Sequence, residues 1–266
     1  MNKFMIDAAH PPPLLEAPAS WRAVDFISDL HLQAAEPATV AAWKRYMAQS
    51  PANAIFILGD LFEVWVGDDA AQPGNFEHEC AQVLQEAART RKLFFMHGNR
   101  DFLLGDTMAA AGGFALLQDP TVLLFAGQRW LLTHGDALCL DDHDYMAFRA
   151  QVRNDAWRNQ FLAQPLQQRQ AVGRELRAQS EARKRSGATY ADVDAGEARR
   201  WLSAANASTL IHGHTHKPAE HPLGQGMRRV VLSDWEADAK PQRLEVMRLS
   251  ADGLQRIALG SLSPEA

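Results

Sequence analysis

Cysteine is scarce in this chain, with only Cys80 and Cys139 among 266 residues. They lie far apart and in no C-x-x-C arrangement, so they offer neither a disulfide framework nor a thiolate metal site. No run reaches the ~18 apolar residues that a membrane-spanning helix needs. A basic excess is missing as well: the formal net charge is −5, without the electrostatic signature of a nucleic-acid binder. G-x-S-x-G and Walker loops are absent, so neither a serine nucleophile nor P-loop chemistry is indicated. The opening stretch MNKFMIDAAHPPPLLEAPASW is broken by Pro11 to Pro13 and Pro18. It reads as a loose extension over residues 1–20, not as a targeting segment. With so few cysteines, a reducing cytosol is the expected compartment.

What is present is a series of short apolar runs, each closing on a small polar cluster. AVDFISDLHL, AIFILGDLFEVWVGDD, LFFMHGNRD, RWLLTHGD and STLIHGHTH all follow this pattern. The apolar parts have strand length and read as strands buried on both faces. Residues 37–49 and 76–91 have helical composition and spacing between them. The alternation predicts an α/β layered fold with parallel components, one domain over residues 21–266. After Gly226, RRVVLSDW, RLEVMRLS and LQRIALG read as antiparallel strands around a turn at Asp252-Gly253.

Residues 149–185 stand apart, with nine Arg or Lys against Asp155, Glu175 and Glu181. The same stretch pairs Phe148 with Val152, Trp157 with Phe161, Leu162 with Leu166 and Val172 with Leu176 at i,i+4. Two or three amphipathic helices are expected, inserted over about 141–196. A solvated basic surface is the commoner cause of such a charge run, but its place between two ligand-like motifs favours a functional one.

Ligands of open α/β sheets bind beyond the carboxyl ends of the strands. The polar clusters would gather Asp29, His31, Asp60, Asn99, His134, His214 and His216 there. Imidazole and oxygen donors without cysteine suit Mn, Fe or Zn. Asp29 and His31 are two residues apart, as are His214 and His216, so each pair projects to one side of an extended segment. Two such pairs plus single donors exceed the needs of one ion, and a two-metal site accounts for the surplus. His212 reads as a structural histidine.

The ordered set D-x-H, GD, GN-R-D, H-G-D and GH-x-H resembles the calcineurin-like metallophosphoesterase superfamily over roughly residues 23–235. GDLFEVWVGDD, HGNRDFLLG, THGDALCLDDHDYMAFR and HGHTHKP are similar, more narrowly, to the UDP-2,3-diacylglucosamine pyrophosphohydrolase (diphosphatase) family of lipid A biosynthesis. Arg100 stands where many superfamily members have His, as in this narrower family. The resemblance implies a layered β-sandwich flanked by helices, with the inserted helices as a lid. It implies one metal on Asp29, His31, Asp60 and His216, and a second on Asp60, Asn99, His134 and His214. Asp60 would bridge them, and the two divalent ions would be Mn²⁺. Arg100 and Asn99 are the implied catalytic groups. Asn99, Arg100, Asp142, Tyr145, Phe161, Arg169, Arg177, Ser180, Arg183, Lys184 and His214 are the expected substrate contacts.

The implied reaction is water attack on the α-phosphorus of UDP-2,3-diacylglucosamine, giving UMP and 2,3-diacylglucosamine 1-phosphate. The implied location is peripheral, on the anionic cytoplasmic face of the bacterial inner membrane, as a monomer. Another phosphoesterase of the superfamily and a non-catalytic metal-binding scaffold are the alternatives. The long basic amphipathic insertion argues against the first, and the filled ligand positions against the second.

Overall fold

The computed structural model describes Ile6, residues 10–185 and residues 191–260, with the backbone alone for 179–185. The chain opens with β1 (Leu14–Glu16), β2 (Ala23–Ile27), α1 (Pro37–Gln49), β3 (Ala54–Leu58), α2 (Phe76–Ala88), β4 (Lys92–Met96) and α3 (Asp106–Gly112). It continues through β5 (Ala115–Leu117), β6 (Thr121–Phe125), β7 (Gln128–Leu132), α4 (His143–Val152), α5 (Asp155–Leu162), α6 (Leu166–Arg185) and α7 (Ala195–Ala205). The last strands are β8 (Thr209–His212), β9 (Glu220–Gly224), β10 (Met227–Val231), β11 (Glu245–Ser250) and β12 (Gly253–Ala258).

Two six-stranded sheets result, ordered β12-β11-β2-β3-β4-β5 and β1-β6-β7-β8-β10-β9. Alternating side chains explain why they form a sandwich. Val24 and Phe26 of β2, Phe56 and Leu58 of β3, Leu123 of β6, Leu132 of β7 and Ile211 of β8 face inward as one buried cluster. The opposite faces are covered separately. Ile27, Ile55, Ile57 and Phe95 pack under Trp43, Met47 and Leu84 of α1 and α2. Val122, Leu131 and Leu210 pack under Ala198, Trp201 and Leu202 of α7. All five residues of β3 are buried, as its near-continuous apolar run predicts. Among the described residues no helix is long and apolar enough to cross a membrane.

Three features depart from the sequence reading. The N-terminal extension is not loose throughout, because Leu14–Glu16 pairs in parallel with β6. The segment after Gly226 is not a simple antiparallel set. β10 runs parallel to β8 and antiparallel to β9, while only β11 and β12 form the expected hairpin. β9 carries Pro222, which a central strand would not tolerate; as the sheet's last strand it leaves the missing N–H without consequence.

The basic run is the third. Three of its arginines point inward and fasten the inserted helices. Arg149 of α4 is buried and donates from Nε to Asp136 Oδ2 at 2.8 Å. Arg153 donates to the Gly98 carbonyl at 2.7 Å. Arg169 of α6 is buried, donates to the Val66 carbonyl and forms a forked pair with the Asp69 carboxylate. Beside it α6 approaches so closely that a Cβ on Gly173 would lie 2.9 Å from Val64 Cγ1. Asp136 is fully buried, and burial alone would raise its pKa. Arg149 and then Arg153 outweigh that and hold it well below the usual carboxylate range. Arg149→Ala should therefore lower stability by about 3 kcal/mol, because it strands a buried carboxylate. A denaturant midpoint close to that of the parent protein would show that Arg153 and Tyr145 suffice.

Candidate active site

β2, β3 and β4 are mutually parallel, as are β7 and β8. Their carboxyl ends therefore open on one rim of the sandwich, where both sheets contribute. Backbone bonds tie these ends together: Asp29 N–H to the Gly59 carbonyl at 3.1 Å, His31 N–H to the Asp60 carbonyl at 3.0 Å, and Gly213 N–H to the His134 carbonyl at 3.0 Å. The chain turns sharply as it leaves each strand. Asp29, His31, Asp60, His214 and His216 all have positive φ, between 49° and 65°. Each such non-glycine residue costs roughly 1–3 kcal/mol, and clustered strain of this kind marks functional sites. Close approach also excludes side chains: a Cβ on Gly98 would lie 2.0 Å from Asp60 Oδ1, and one on Gly213 would lie 2.2 Å from Asp29 Oδ2.

All seven strand-end candidates meet on this rim. On one side His31 Nε2 is 3.3 Å from His216 Nε2, and His216 Nε2 is 3.3 Å from Asp29 Oδ1. On the other, Asn99 Oδ1 lies 3.1 Å from His134 Nε2 and 2.9 Å from His214 Nδ1. Asp60 stands between the two groups: Oδ2 is 3.9 Å from His31 Nε2 and Oδ1 is 3.8 Å from His134 Nε2. Donor atoms ~2.0–2.2 Å from a shared ion lie about 3 Å apart, so the spacing fits cations.

One atom tests that fit. Asp29 Oδ2 accepts from Ser28 Oγ at 2.6 Å and from the His214 N–H at 2.9 Å. Its Oδ1 is buried without a hydrogen bond, and such an atom needs a partner. A cation beside His216 supplies one. Asp29, His31 and His216 can converge on one ion, and Asp29, Asp60 and His134 on another.

The electrostatics agree. Burial would depress His134, but the Asp60, Asp136 and Asp29 carboxylates outweigh it and raise its pKa to about 9. His214 is lowered to about 4, by burial first and by His134 next. It stays neutral at pH 7, as a ligand must. His212 is pushed down to about 3, mainly by burial. Its Nδ1 donates to the Gly213 carbonyl at 2.8 Å and its Nε2 is 3.3 Å from Arg229, so it turns away from the cluster.

A cleft of about 730 Å³ opens on the rim, and both ligand groups contribute to its wall. Of the expected substrate contacts, Asn99, Arg100, Asp142, Tyr145, Phe161, Arg177 and His214 line it. Arg169 does not: its guanidinium is committed to Asp69 and Val66, a correction to its expected role. Ser180, Arg183 and Lys184 lie outside the residues whose side chains are described. Much of the cleft's apolar wall was missed by sequence reasoning. Val64, Trp65, Val66, Phe102, Leu103 and Trp157 form much of it, with Trp157 stacked on Phe161 at 4.9 Å between centroids. The apolar residues of the inserted helices divide: Leu176 faces the cleft, Val172 packs on the helix-covered core, and Phe161 belongs to that core and also lines the cleft. Glu63 was also missed; Oε2 lies 2.9 Å from His31 Nδ1. Burial works to raise its pKa, but contact with His31, then Arg100 and Arg177, brings it below the usual value.

Comparison with known proteins adds a second line. The calcineurin-like phosphoesterase family profile matches residues 23–218. The chain is 45% identical over 248 residues to a UDP-2,3-diacylglucosamine hydrolase of Chromobacterium violaceum, covering 90% of this chain and 100% of that protein. It is 46% identical over 217 residues to one of Cellvibrio japonicus, covering 79% and 90%. With one of Xanthomonas axonopodis it shares 43% over 250 residues, covering 88% and 98%.

Proposed function

Since the chain belongs to the calcineurin-like phosphoesterase family, and within it to the UDP-2,3-diacylglucosamine hydrolases, we propose that it cleaves the diphosphate of UDP-2,3-diacylglucosamine in lipid A biosynthesis. The observation that carries this reading is the shared wall: a metal-binding rim and an apolar cleft meet at Asn99, Arg100 and His214. A diphosphate needs the first and two acyl chains need the second. The pair is more than a small, soluble phosphoester requires.

Asp29, His31, Asp60 and His216 would hold one divalent cation, and Asp60, Asn99, His134 and His214 the other. Manganese suits this mixed imidazole and oxygen set. Two such ions would shield the diphosphate and make a water acidic enough to attack phosphorus near neutral pH. The chain's own groups do the rest. Asp60 is fixed by the Arg100 N–H, which donates to Oδ1 at 2.8 Å. The Arg100 side chain, on the cleft wall, stabilises charge on the phosphoryl oxygens. Tyr145 lies against the His214 ring, with centroids 5.8 Å apart, and donates to Asp136 at 2.5 Å, so it limits where the sugar can sit. The helices α4 to α6, which span His143 to Arg185, act as a lid. Leu162 and Leu176 are exposed on it, and with the remaining basic residues they support peripheral attachment to the anionic cytoplasmic face of the inner membrane.

The test is hydrolysis in ¹⁸O-water by purified protein loaded with Mn²⁺. Equal amounts of UMP and 2,3-diacylglucosamine 1-phosphate should form, with the label in UMP if water attacks the α-phosphorus. Exhaustive chelation should abolish turnover and Mn²⁺ should restore it. Full activity after metal removal would end the reading, and label in the lipid product would move the attack to the other phosphorus.

A further inference from the structure

Glu63 follows β3 by five residues, and nothing in the proposed chemistry uses it. Its position is built by the backbone. Leu32 and Phe62 form a parallel bridge, the Leu32 N–H donates to the Leu61 carbonyl at 2.8 Å, and the Glu63 N–H donates to the Leu32 carbonyl at 3.2 Å. The loops after β2 and β3 are thereby zipped together, and Glu63 is set beside His31.

The two carboxylate oxygens face different parts of the molecule. Oε2 lies 2.9 Å from His31 Nδ1. The other ring nitrogen, Nε2, faces His216 and Asp60. An imidazole can offer Nε2 to a cation only if the proton stays on Nδ1, and the Glu63 carboxylate 2.9 Å from Nδ1 favours that tautomer electrostatically, through an ion-pair contact outside hydrogen-bond geometry. Oε1 lies 3.4 Å from Arg177 Nε on α6 and 3.9 Å from Arg100 on the loop after β4. One carboxylate thus touches a metal-ligand candidate, a phosphate-handling arginine and the inserted helices. His216 has a carboxylate at its own Nδ1, Asp234 at 3.6 Å. That carboxylate's other partner is Arg243, at 3.0 Å, outside the inserted helices.

We propose that Glu63 is a positioning residue that orients His31 toward its cation and at the same time registers the lid helix α6 on the metal centre through Arg177. This rests on the metal reading above. The consequence is that loss of one side chain disturbs two properties that are otherwise separate: cation affinity at the rim and the seating of a helix in the insertion.

The experiment uses substrate-free, full-length protein with Mn²⁺ as the probe. Calorimetry reads Mn²⁺ affinity, and amide hydrogen exchange over residues 168–178 reads the seating of α6. Glu63→Gln should weaken Mn²⁺ binding about 10- to 100-fold, the usual effect of losing an outer partner of a ligand. It should also speed exchange in α6, with exchange in β11 and β12 unchanged as the control for folding. Arg177→Ala should speed exchange in α6 with little effect on Mn²⁺. Parental Mn²⁺ affinity in Glu63→Gln overturns the orienting role, and parental exchange in α6 overturns the link to the lid. Asp60→Ala separates the failures. If Asp60→Ala loses Mn²⁺ while Glu63→Gln keeps it, only the role of Glu63 falls. If all three variants bind Mn²⁺ like the parent, the metal reading falls and this proposal with it.

Discussion

Asp60→Ala should reduce hydrolysis by on the order of 10³-fold or more, and metal content per chain should fall at both positions. The reason is geometric. Oδ2 faces His31 and Oδ1 faces His134, at 3.9 and 3.8 Å, so its two oxygens are directed to the two ligand groups. The backbone has also been shaped for this carboxylate. Asp60 holds φ at 54°, Gly98 leaves room for Oδ1, and the Arg100 N–H donates to it. His212→Ala is the control, because His212 is turned toward Gly213 and Arg229; both metals should remain bound. Elemental analysis of the two variants decides the point. Two metals retained in Asp60→Ala would remove it as the bridge.

UDP-glucosamine, which lacks both acyl chains, should be a poor substrate, with kcat/KM lower by several orders of magnitude. Each methylene buried in the apolar cleft contributes about 0.8 kcal/mol, so even five of them amount to roughly 4 kcal/mol, or about a thousandfold. Ordering the chains and the wall takes back part of this, so the net effect grows with the number of methylenes that the cleft holds. Phe161→Ala supplies the matched change in the protein. Phe161 is buried, stacks on Trp157 and lines the cleft. Its loss should raise KM for the diacylated substrate and leave the already poor turnover of UDP-glucosamine unchanged. Equal kinetics on both compounds would mean that the cleft does not hold acyl chains, and only a generic dimetal phosphoesterase would remain.

Much of the rim was legible in the sequence because its determinants are local. A short buried run ends, a polar residue follows, and a second donor stands two positions later. The strand-end rule placed Asp29, His31, Asp60, Asn99, His134, His214 and His216 on one rim, with the two-residue spacing confined to the Asp29/His31 and His214/His216 pairs. α1 fell on residues 37–49 as its spacing predicted. The family resemblance then supplied roles that spacing alone leaves open, the partition into two metals above all.

What the tertiary structure decided were the partners. A segment with nine Arg or Lys spread over residues 149–185 carries no mark saying which guanidinium will meet a buried carboxylate, since the choice depends on groups distant in the chain. Arg169 meets Asp69, Arg149 meets Asp136, and Arg177 is left near Glu63 on the cleft wall. The parallel pairing of β10 with β8 and the edge strand Leu14–Glu16 are non-local in the same way. An apolar run records that it will be buried, but the element that buries it is chosen by packing across the whole sandwich. For that reason the strand-end rim and part of the cleft beside it could be read from the sequence alone, whereas the wall formed by Val64, Trp65, Val66, Phe102 and Leu103, and the place of Glu63 between His31 and Arg177, could not.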